Sequence, residues 1–334
     1  MKAYITGSGM YAPERTISNE EIAEKLGLDP EQIFKSSGIR RRRWAEIGTT
    51  TSSLASSALE MAIADGGLKP DDIDYLLFGT MTPDRFIPGS APAVQKTLGL
   101  REIPCLDLRA TCCNALYALQ LARALVTSGM ASRVAICLAE IQSAFLDLSP
   151  EAGTTSMLFG DGASALIVSN EKTDGALEIL DVFLATDGTY IDDLGIRCPG
   201  TEFGTVLSGE ANKHKEDYSA RMVGQSVILQ ASRKIVAACL TVLERNNIQV
   251  SDVRWLVPHQ ANANLLAQVA RGIRFPINQG GVISVLEDYG NTSSASMGIA
   301  LDTLRRSRRI QPGERLLLPA FGAGFTWGAG LCVA

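Results

Sequence analysis

The chain has 334 residues, of which 46% are hydrophobic and 20% charged, with a formal net charge of −5. That length buries a large core, in one broad domain or two similar ones, and the acidic balance argues against a nucleic-acid partner. Seven cysteines without a Cys-x-x-Cys pair are too sparse for a disulfide scaffold, so free thiols in a reducing cytosol are expected.

The opening Met1-Lys2-Ala3-Tyr4-Ile5-Thr6-Gly7 predicts a strand over residues 2–6 that runs into a glycine turn. It lacks the apolar stretch of a signal peptide. No apolar run reaches the roughly 18 residues that cross a bilayer, so a cytoplasmic chain without a membrane segment is expected. Strands follow over 75–79, 105–108, 133–139 and 163–168, with helices over 51–65 and 114–128. Further strands are expected over 177–185, 255–258, 315–319 and 328–333, with helices over 224–246, 262–272 and 294–307. This alternation predicts α/β layers. The polar, charged stretch 188–219 reads as a surface excursion. Arg40-Arg41-Arg42-Arg43 and the arginines at 305, 306, 308 and 309 read as solvated, salt-bridged surface. A dock for phosphate or an acidic protein is the sharper alternative.

The chain also resembles itself. Residues 58–77 match 238–257 without a gap, and the helix–strand unit from 114 matches the unit from 294, both at an offset of about 180 residues. Duplication of one α/β unit predicts halves 1–170 and 171–334, with a site where they meet.

Cys112 lies between the strand 105–108 and the helix from 114. A thiol there faces the positive end of a helix dipole and unpaired N–H groups, which lower its pKa and favour the nucleophilic thiolate. Cys113 shares that setting, and spacing does not separate the two. His259 ends the strand 255–258, at the sheet edge where open α/β folds bind ligands. The other histidine, His214, stands in a charged stretch and reads as solvated surface. Asn291, between Gly290 and Thr292, reads locally as a cap or turn residue, but duplication brings the start of its helix opposite Cys112. No histidine or cysteine spacing makes a metal set, and no glycine-rich segment follows a P-loop or dinucleotide pattern.

Five segments then resemble one family over essentially the whole chain. They are Asp107 to Cys112 with Tyr117-Ala118-Leu119 after it, Phe159-Gly160-Asp161-Gly162-Ala163, Val257-Pro258-His259-Gln260-Ala261-Asn262, Tyr289-Gly290-Asn291-Thr292-Ser293 and Phe321 to Gly328. The chain resembles the β-ketoacyl-acyl-carrier-protein synthase III family of thiolase-fold condensing enzymes. The resemblance implies a thiolase-like fold, with duplicated α/β halves in a five-layered α-β-α-β-α arrangement. By register it selects Cys112 over Cys113. It implies that Cys112 takes an acyl group from a thioester, with the backbone N–H groups of Cys112 and Ala323 as oxyanion hole. His259 and Asn291 then stabilise the enolate formed when a malonyl thioester on acyl carrier protein loses CO₂. No cofactor or metal is needed, and the enzyme is implied to be a homodimer.

The departures from the family pattern bear on substrates. Gln32 stands where the family has the tryptophan that stacks on the adenine of coenzyme A, Ser36 where it has a nearby arginine, and Gly153 where it has the arginine on the other face. These changes imply weakened coenzyme A binding or delivery of the acyl group by a carrier protein. Asn264 replaces a basic residue that helps dock the carrier, and Arg271 partly compensates. Ile87 replaces the phenylalanine that reaches across the dimer into the primer pocket, which implies a longer or bulkier primer. Ala323 replaces a glycine but keeps its N–H. Two other classes stay open: an acyltransferase that moves the acyl group to an alcohol or amine, and a non-catalytic carrier-binding subunit. Asn291 argues against the first and Cys112 against the second.

Overall fold

The computed structural model describes residues 1–203, 215–277 and 280–334. From the N-terminus it runs β1 (Tyr4–Tyr11), β2 (Thr16–Ser18), α1 (Asn19–Leu26), α2 (Pro30–Ser37), β3 (Arg41–Arg43), α3 (Thr51–Asp65), β4 (Tyr75–Gly79), α4 (Ala91–Thr97), β5 (Cys105–Leu108), α5 (Asn114–Thr127), β6 (Arg133–Glu140), α6 (Gly153–Ser156) and β7 (Gly162–Ser169). There follow β8 (Leu177–Thr186), β9 (Leu194–Gly195), β10 (Arg221–Met222), α7 (Gly224–Arg245), β11 (Val253–Leu256), α8 (Ala263–Gly272), α9 (Leu286–Tyr289), α10 (Ser296–Arg306), β12 (Arg315–Gly322) and β13 (Thr326–Val333).

Nine strands form one sheet in the order β11-β12-β13-β8-β1-β7-β6-β4-β5. The same pattern stands on each side of the β1–β8 junction. On one side β5, β4 and β6 are parallel, and β7 and β1 follow in antiparallel pairs. On the other β11 and β12 are parallel, and β13 and β8 follow in antiparallel pairs. Val282 bridges Leu256 in parallel, where a counterpart of β5 would lie. The halves join where Tyr4 and Ile5 pair with Glu178 and Leu177.

Side-chain alternation along the strands sets the layers. Leu76 and Phe78 face α3, while Leu77 faces the central core with α5. Leu316 and Leu318 face that same core with α10, while Leu317 turns outward toward α7 and α8. Helices α5 and α10 therefore form a middle layer between the two parts of the sheet, with α3 and α7–α8 outside. This gives the expected five layers.

Three sequence expectations change. The first strand spans Tyr4–Tyr11 rather than 2–6. A Cβ on Gly7 would stand 2.3 Å from the Ala62 carbonyl oxygen, so this glycine admits close packing of α3 instead of making a turn. Helix α7 is long and apolar enough, by length and composition, to cross a membrane. Yet it carries Arg233 and Lys234, and its buried residues Ala231, Ile235, Ala238 and Val242 pack in the core that covers β12 and β13. Finally, the first arginine run is not all surface. Arg40 and Arg41 pair with Glu287 and Asp288, but Arg42 is fully buried. Its guanidinium donates to the carbonyls of Ile17 and Met157, and burial pushes its pKa down to about 10. In the second run Arg305 and Arg306 pair with Asp65 and Asp302. His214 lies outside the described residues.

Candidate active site

Cys112 lies in a tight turn, Thr111–Cys113, between β5 and α5. Asp107 anchors this region by accepting from the N–H groups of Ser90 and Ala91 at the start of α4. Asn114 Oδ1 accepts from Ala110 N–H at 2.7 Å and closes the turn. Thr111 has a φ of 53°, a left-handed conformation that costs a β-branched residue about 1–3 kcal/mol. Its hydroxyl donates to the Ala323 carbonyl at 3.2 Å, which helps hold it there. On the other side β12 ends at Gly322. A Cβ at Gly322 would stand 2.9 Å from the Cys112 nitrogen and 2.2 Å from Thr111 Oγ1. Only glycine lets the end of β12 approach the nucleophile so closely, and this approach brings Ala323 beside Cys112. Ala323 is not among the positive-φ residues, so an alanine fits its backbone without strain.

The second half builds a matching turn, Ser293–Ala295, ahead of α10. Ser293 has a φ of 48°, close to that of Thr111. The two turns are equivalent in the duplicated fold, and they meet: Ser293 Oγ lies 3.4 Å from Cys112 Sγ. The same segment fixes the other two candidates. Ser293 N–H donates to Asn291 Oδ1 at 2.9 Å, leaving the Asn291 amide N–H₂ uncommitted among the described residues. Ser296 Oγ lies 2.7 Å from His259 Nδ1 and accepts from Gln260 N–H. The tautomer with its hydrogen on Nε2 takes the Ser296 hydroxyl proton at Nδ1 and keeps Nε2–H as a donor.

The motif around His259 separates by role. Gln260 is fully buried, donates to Pro258 and Ile283 carbonyls and accepts from Val285 N–H. Asn262 caps α8 by accepting from Leu265 N–H. His259 and Asn262 both line the cleft, and of the two His259 holds no backbone cap. Asn291 is positioned by a parallel bridge to Phe159, with hydrogen bonds from Asn291 N–H to Leu158 and from Gly160 N–H to the Asn291 carbonyl.

Cys112, His259, Asn291 and Ala323 line one cleft of about 320 Å³, with a largely apolar wall that includes Phe145, Leu158, Met222 and Val227. Electrostatics correct one expectation. Burial pushes the Cys112 thiol up to about 11; the Ser293 hydroxyl opposes the rise and Glu140 adds to it. The thiol is thus protonated at rest, because burial outweighs the favourable helix start. Burial also pushes His259 down to about 4, partly countered by the backbone of Ser293. Both shifts oppose transfer of the thiol proton to His259 at rest. Cys113 is buried, donates to the Thr326 carbonyl and has a thiol pushed well up by burial. Its side chain belongs to the central core.

Other candidates fall outside the cleft lining. Ile87 is 77% exposed. Gln32 is exposed and Gly153 is buried, its missing Cβ facing Leu28 at 3.3 Å. The Asn264 amide donates to the Ser36 carbonyl at 2.8 Å and ties α8 to α2. Arg271 is exposed on the last turn of α8. Residues missed from sequence include Ser293, Ser296 and Glu140. The two serines carry no signal of their own, because a serine before a helix is ordinarily a cap. Glu140, a carboxylate ending an otherwise buried strand, was a readable signal. Burial pushes it up to about 7 despite hydrogen bonds from Ser294, Met81 and Thr82.

The chain is similar to known proteins over nearly its whole length. Residues 106–188 match the family profile "3-oxoacyl-[acyl-carrier-protein] synthase III", and residues 243–333 match its C-terminal profile. A β-ketoacyl-[acyl-carrier-protein] synthase III from Chlamydia caviae is 37% identical over 332 residues, covering 98% of this chain and 96% of that protein. The crystal structure of the 3-oxoacyl-(acyl carrier protein) synthase III of Pseudomonas aeruginosa PAO1 superposes with a TM-score of 0.87 at 31% identity, covering 100% of this chain and 98% of that one. The priming β-ketosynthase of the R1128 polyketide pathway gives a TM-score of 0.88 at 31% identity, covering 99% and 96%.

Proposed function

The chain belongs to the 3-oxoacyl-[acyl-carrier-protein] synthase III family, and from that premise we propose that it condenses an acyl thioester with a malonyl thioester on acyl carrier protein. The observation that carries the reading is the Ser293–Ser296 segment, which touches Cys112, Asn291 and His259 at once. In the first half-reaction the Cys112 thiol loses its proton and attacks the acyl carbonyl. The oxyanion is held by the N–H groups of Cys112 and Ala323. The bond to the carrier sulfur breaks, and the departing thiolate takes up a proton. In the second, the malonyl C–C bond to its carboxylate breaks and CO₂ leaves. The electron pair becomes an enolate held by His259 Nε2–H and the Asn291 amide. Its carbon attacks the Cys112 thioester, the Cys112 C–S bond breaks to release a β-ketoacyl thioester, and the Cys112 thiolate takes up a proton from water. The product feeds fatty acid or related polyketide synthesis.

Substrate recognition is part of the same proposal. The positions at Gln32, Ser36 and Gly153 offer no aromatic or cationic wall to a nucleotide, which favours delivery of the primer by a carrier protein, with Asn264 and Arg271 near its dock. The protein works in the cytoplasm with its cysteines as thiols. The free sheet edge at β5 exposes Leu106, and Phe86 and Ile87 stand out at 71% and 77% exposure. An unpaired edge beside apolar side chains is a pairing surface, and we assign it to a homodimer that carries Ile87 toward the partner's primer pocket. Sedimentation equilibrium should return twice the 35.7 kDa chain mass; a monomer at micromolar concentration would remove this assignment.

The enzymatic test is CO₂ release and β-ketoacyl product from malonyl-acyl carrier protein with a panel of acyl thioesters. No CO₂ with any primer would overturn the condensing reading. Acyl transfer to an alcohol or amine without malonyl consumption would replace it with the plain acyltransferase.

A further inference from the structure

Among the described residues, the cleft is lined by charges of one sign. Its charged side chains are Arg85 and Arg109, and no carboxylate lines it. Both guanidinium groups lack a hydrogen bond or ion pair, whereas Arg40, Arg41, Arg101, Arg133, Arg245 and Arg306 each hold a carboxylate. The nearest carboxylates in sequence are already committed. Asp84 accepts from Ser52 N–H, and Asp107 from Ser90 and Ala91 N–H.

The topology explains why the two arginines share a wall. Strands β4 and β5 run parallel, from Leu76 opposite Cys105 to Gly79 opposite Leu108. The segments leaving their C-terminal ends therefore emerge side by side, one carrying Arg85 and the other Arg109. Arg109 is three residues from Cys112 on the same segment. Met81 and Phe86, on the segment that carries Arg85, add apolar side chains to the lining. This arm of the cleft comes from the first half of the chain. The second half contributes Val227, Ala261 and Leu265 to the lining. An acyl group on Cys112 that extends toward β4 and β5 would cross apolar surface and end at two unpaired cations.

We propose that Arg85 and Arg109 select an acyl primer tipped with a carboxylate, namely the monothioester of a dicarboxylic acid. The proposal rests on the condensing reading and names its primer class. Arginine suits this task because its planar fork pairs with a carboxylate through two charge-assisted hydrogen bonds. Both side chains are exposed, and an anionic tip supplies the counter-ion that each lacks. Covering of the β5 edge by a second copy would exclude water and strengthen the pairing.

The test measures the rate at which Cys112 gains acyl mass from glutaryl- and adipyl-pantetheine against pentanoyl- and hexanoyl-pantetheine, which match them in chain length. Pantetheine carries neither nucleotide nor phosphate, so carrier recognition does not enter. The expected result is at least a tenfold preference for the carboxylate-tipped acyl groups. In an Arg85→Met, Arg109→Met double variant that ratio falls to about one, and the Lys, Lys variant recovers part of it. Preference for the neutral chains, or an unchanged ratio in the double variant, overturns the proposal. A changed KM for malonyl-acyl carrier protein with an unchanged primer ratio also overturns it, because the arginines would then read the second substrate or its carrier. If neutral primers acylate Cys112 and support CO₂ release, the condensing reading stands while this inference falls. If no acyl group is taken up from pantetheine or from acyl carrier protein, the condensing reading itself fails.

Discussion

Cys112→Ser will abolish retention of the acyl group and lower condensation by about 10⁴-fold or more, whereas Cys113→Ser will still gain acyl mass. The contrast follows from where each sulfur points. Cys112 lines the cleft and meets Ser293, while Cys113 is buried and donates to the Thr326 carbonyl, a bond that a serine hydroxyl can keep. Intact-mass spectrometry after exposure to an acyl thioester reads both variants, and acylation lost in Cys113→Ser but kept in Cys112→Ser would exchange their roles. The elevated Cys112 pKa adds a kinetic expectation. A thiol with a pKa of about 11 is protonated throughout the neutral range. Its thiolate fraction, and with it the acylation rate, should rise about tenfold per pH unit between pH 7 and 10. A plateau already reached at pH 7 would mean that the helix start lowers the thiol after all.

Much of the architecture was legible because the two periodicities are clean. Leu76-Leu77-Phe78 and Leu316-Leu317-Leu318 read as buried strands and are buried on both faces. The offset of about 180 residues was also readable, and the sheet carries the same strand pattern twice. Other features depend on a partner distant in sequence. Gly7 looked like a turn because nothing local shows that α3 will lie against it. Arg42 looked solvated because the carbonyls of Ile17 and Met157 that receive it are invisible in a run of four arginines. At the site, His259 and Cys112 were legible as residue types in suggestive places. Ser293 and Ser296 were not, because a serine before a helix is ordinarily a cap. Their roles arise when the two half-chains bring their helix starts together. The expected low thiol pKa failed for a related reason: sequence shows the helix start but not the degree of burial.

Removing the enolate donors should separate the two half-reactions. His259→Ala and Asn291→Ala should each lower malonyl decarboxylation by about 10²–10³-fold, the scale for loss of one preorganised donor. Both variants should still take an acyl group on Cys112, because neither side chain is the resting base for the thiol. Loss of acylation in His259→Ala would instead assign His259 to deprotonating Cys112. The pH dependence gives an independent check. A histidine at about 4 is neutral across pH 6–9, so decarboxylation should show no inflection near 6.5, where a free imidazole titrates. The same depression links to stability with a definite sign. The unfolded chain binds a proton at this histidine below about 6.5, and the folded chain does so only below about 4. The associated stabilisation, up to about 3 kcal/mol, is therefore complete above 6.5 and is lost as pH falls toward 4. Urea melts at pH 7, 5.5 and 4 should show that loss in the parent protein, and His259→Ala should lack this share of the slope. An unchanged slope in the variant would place the titration elsewhere and leave His259 free to ionise. Its part in decarboxylation would then depend on charge rather than on a neutral Nε2–H fixed by Ser296.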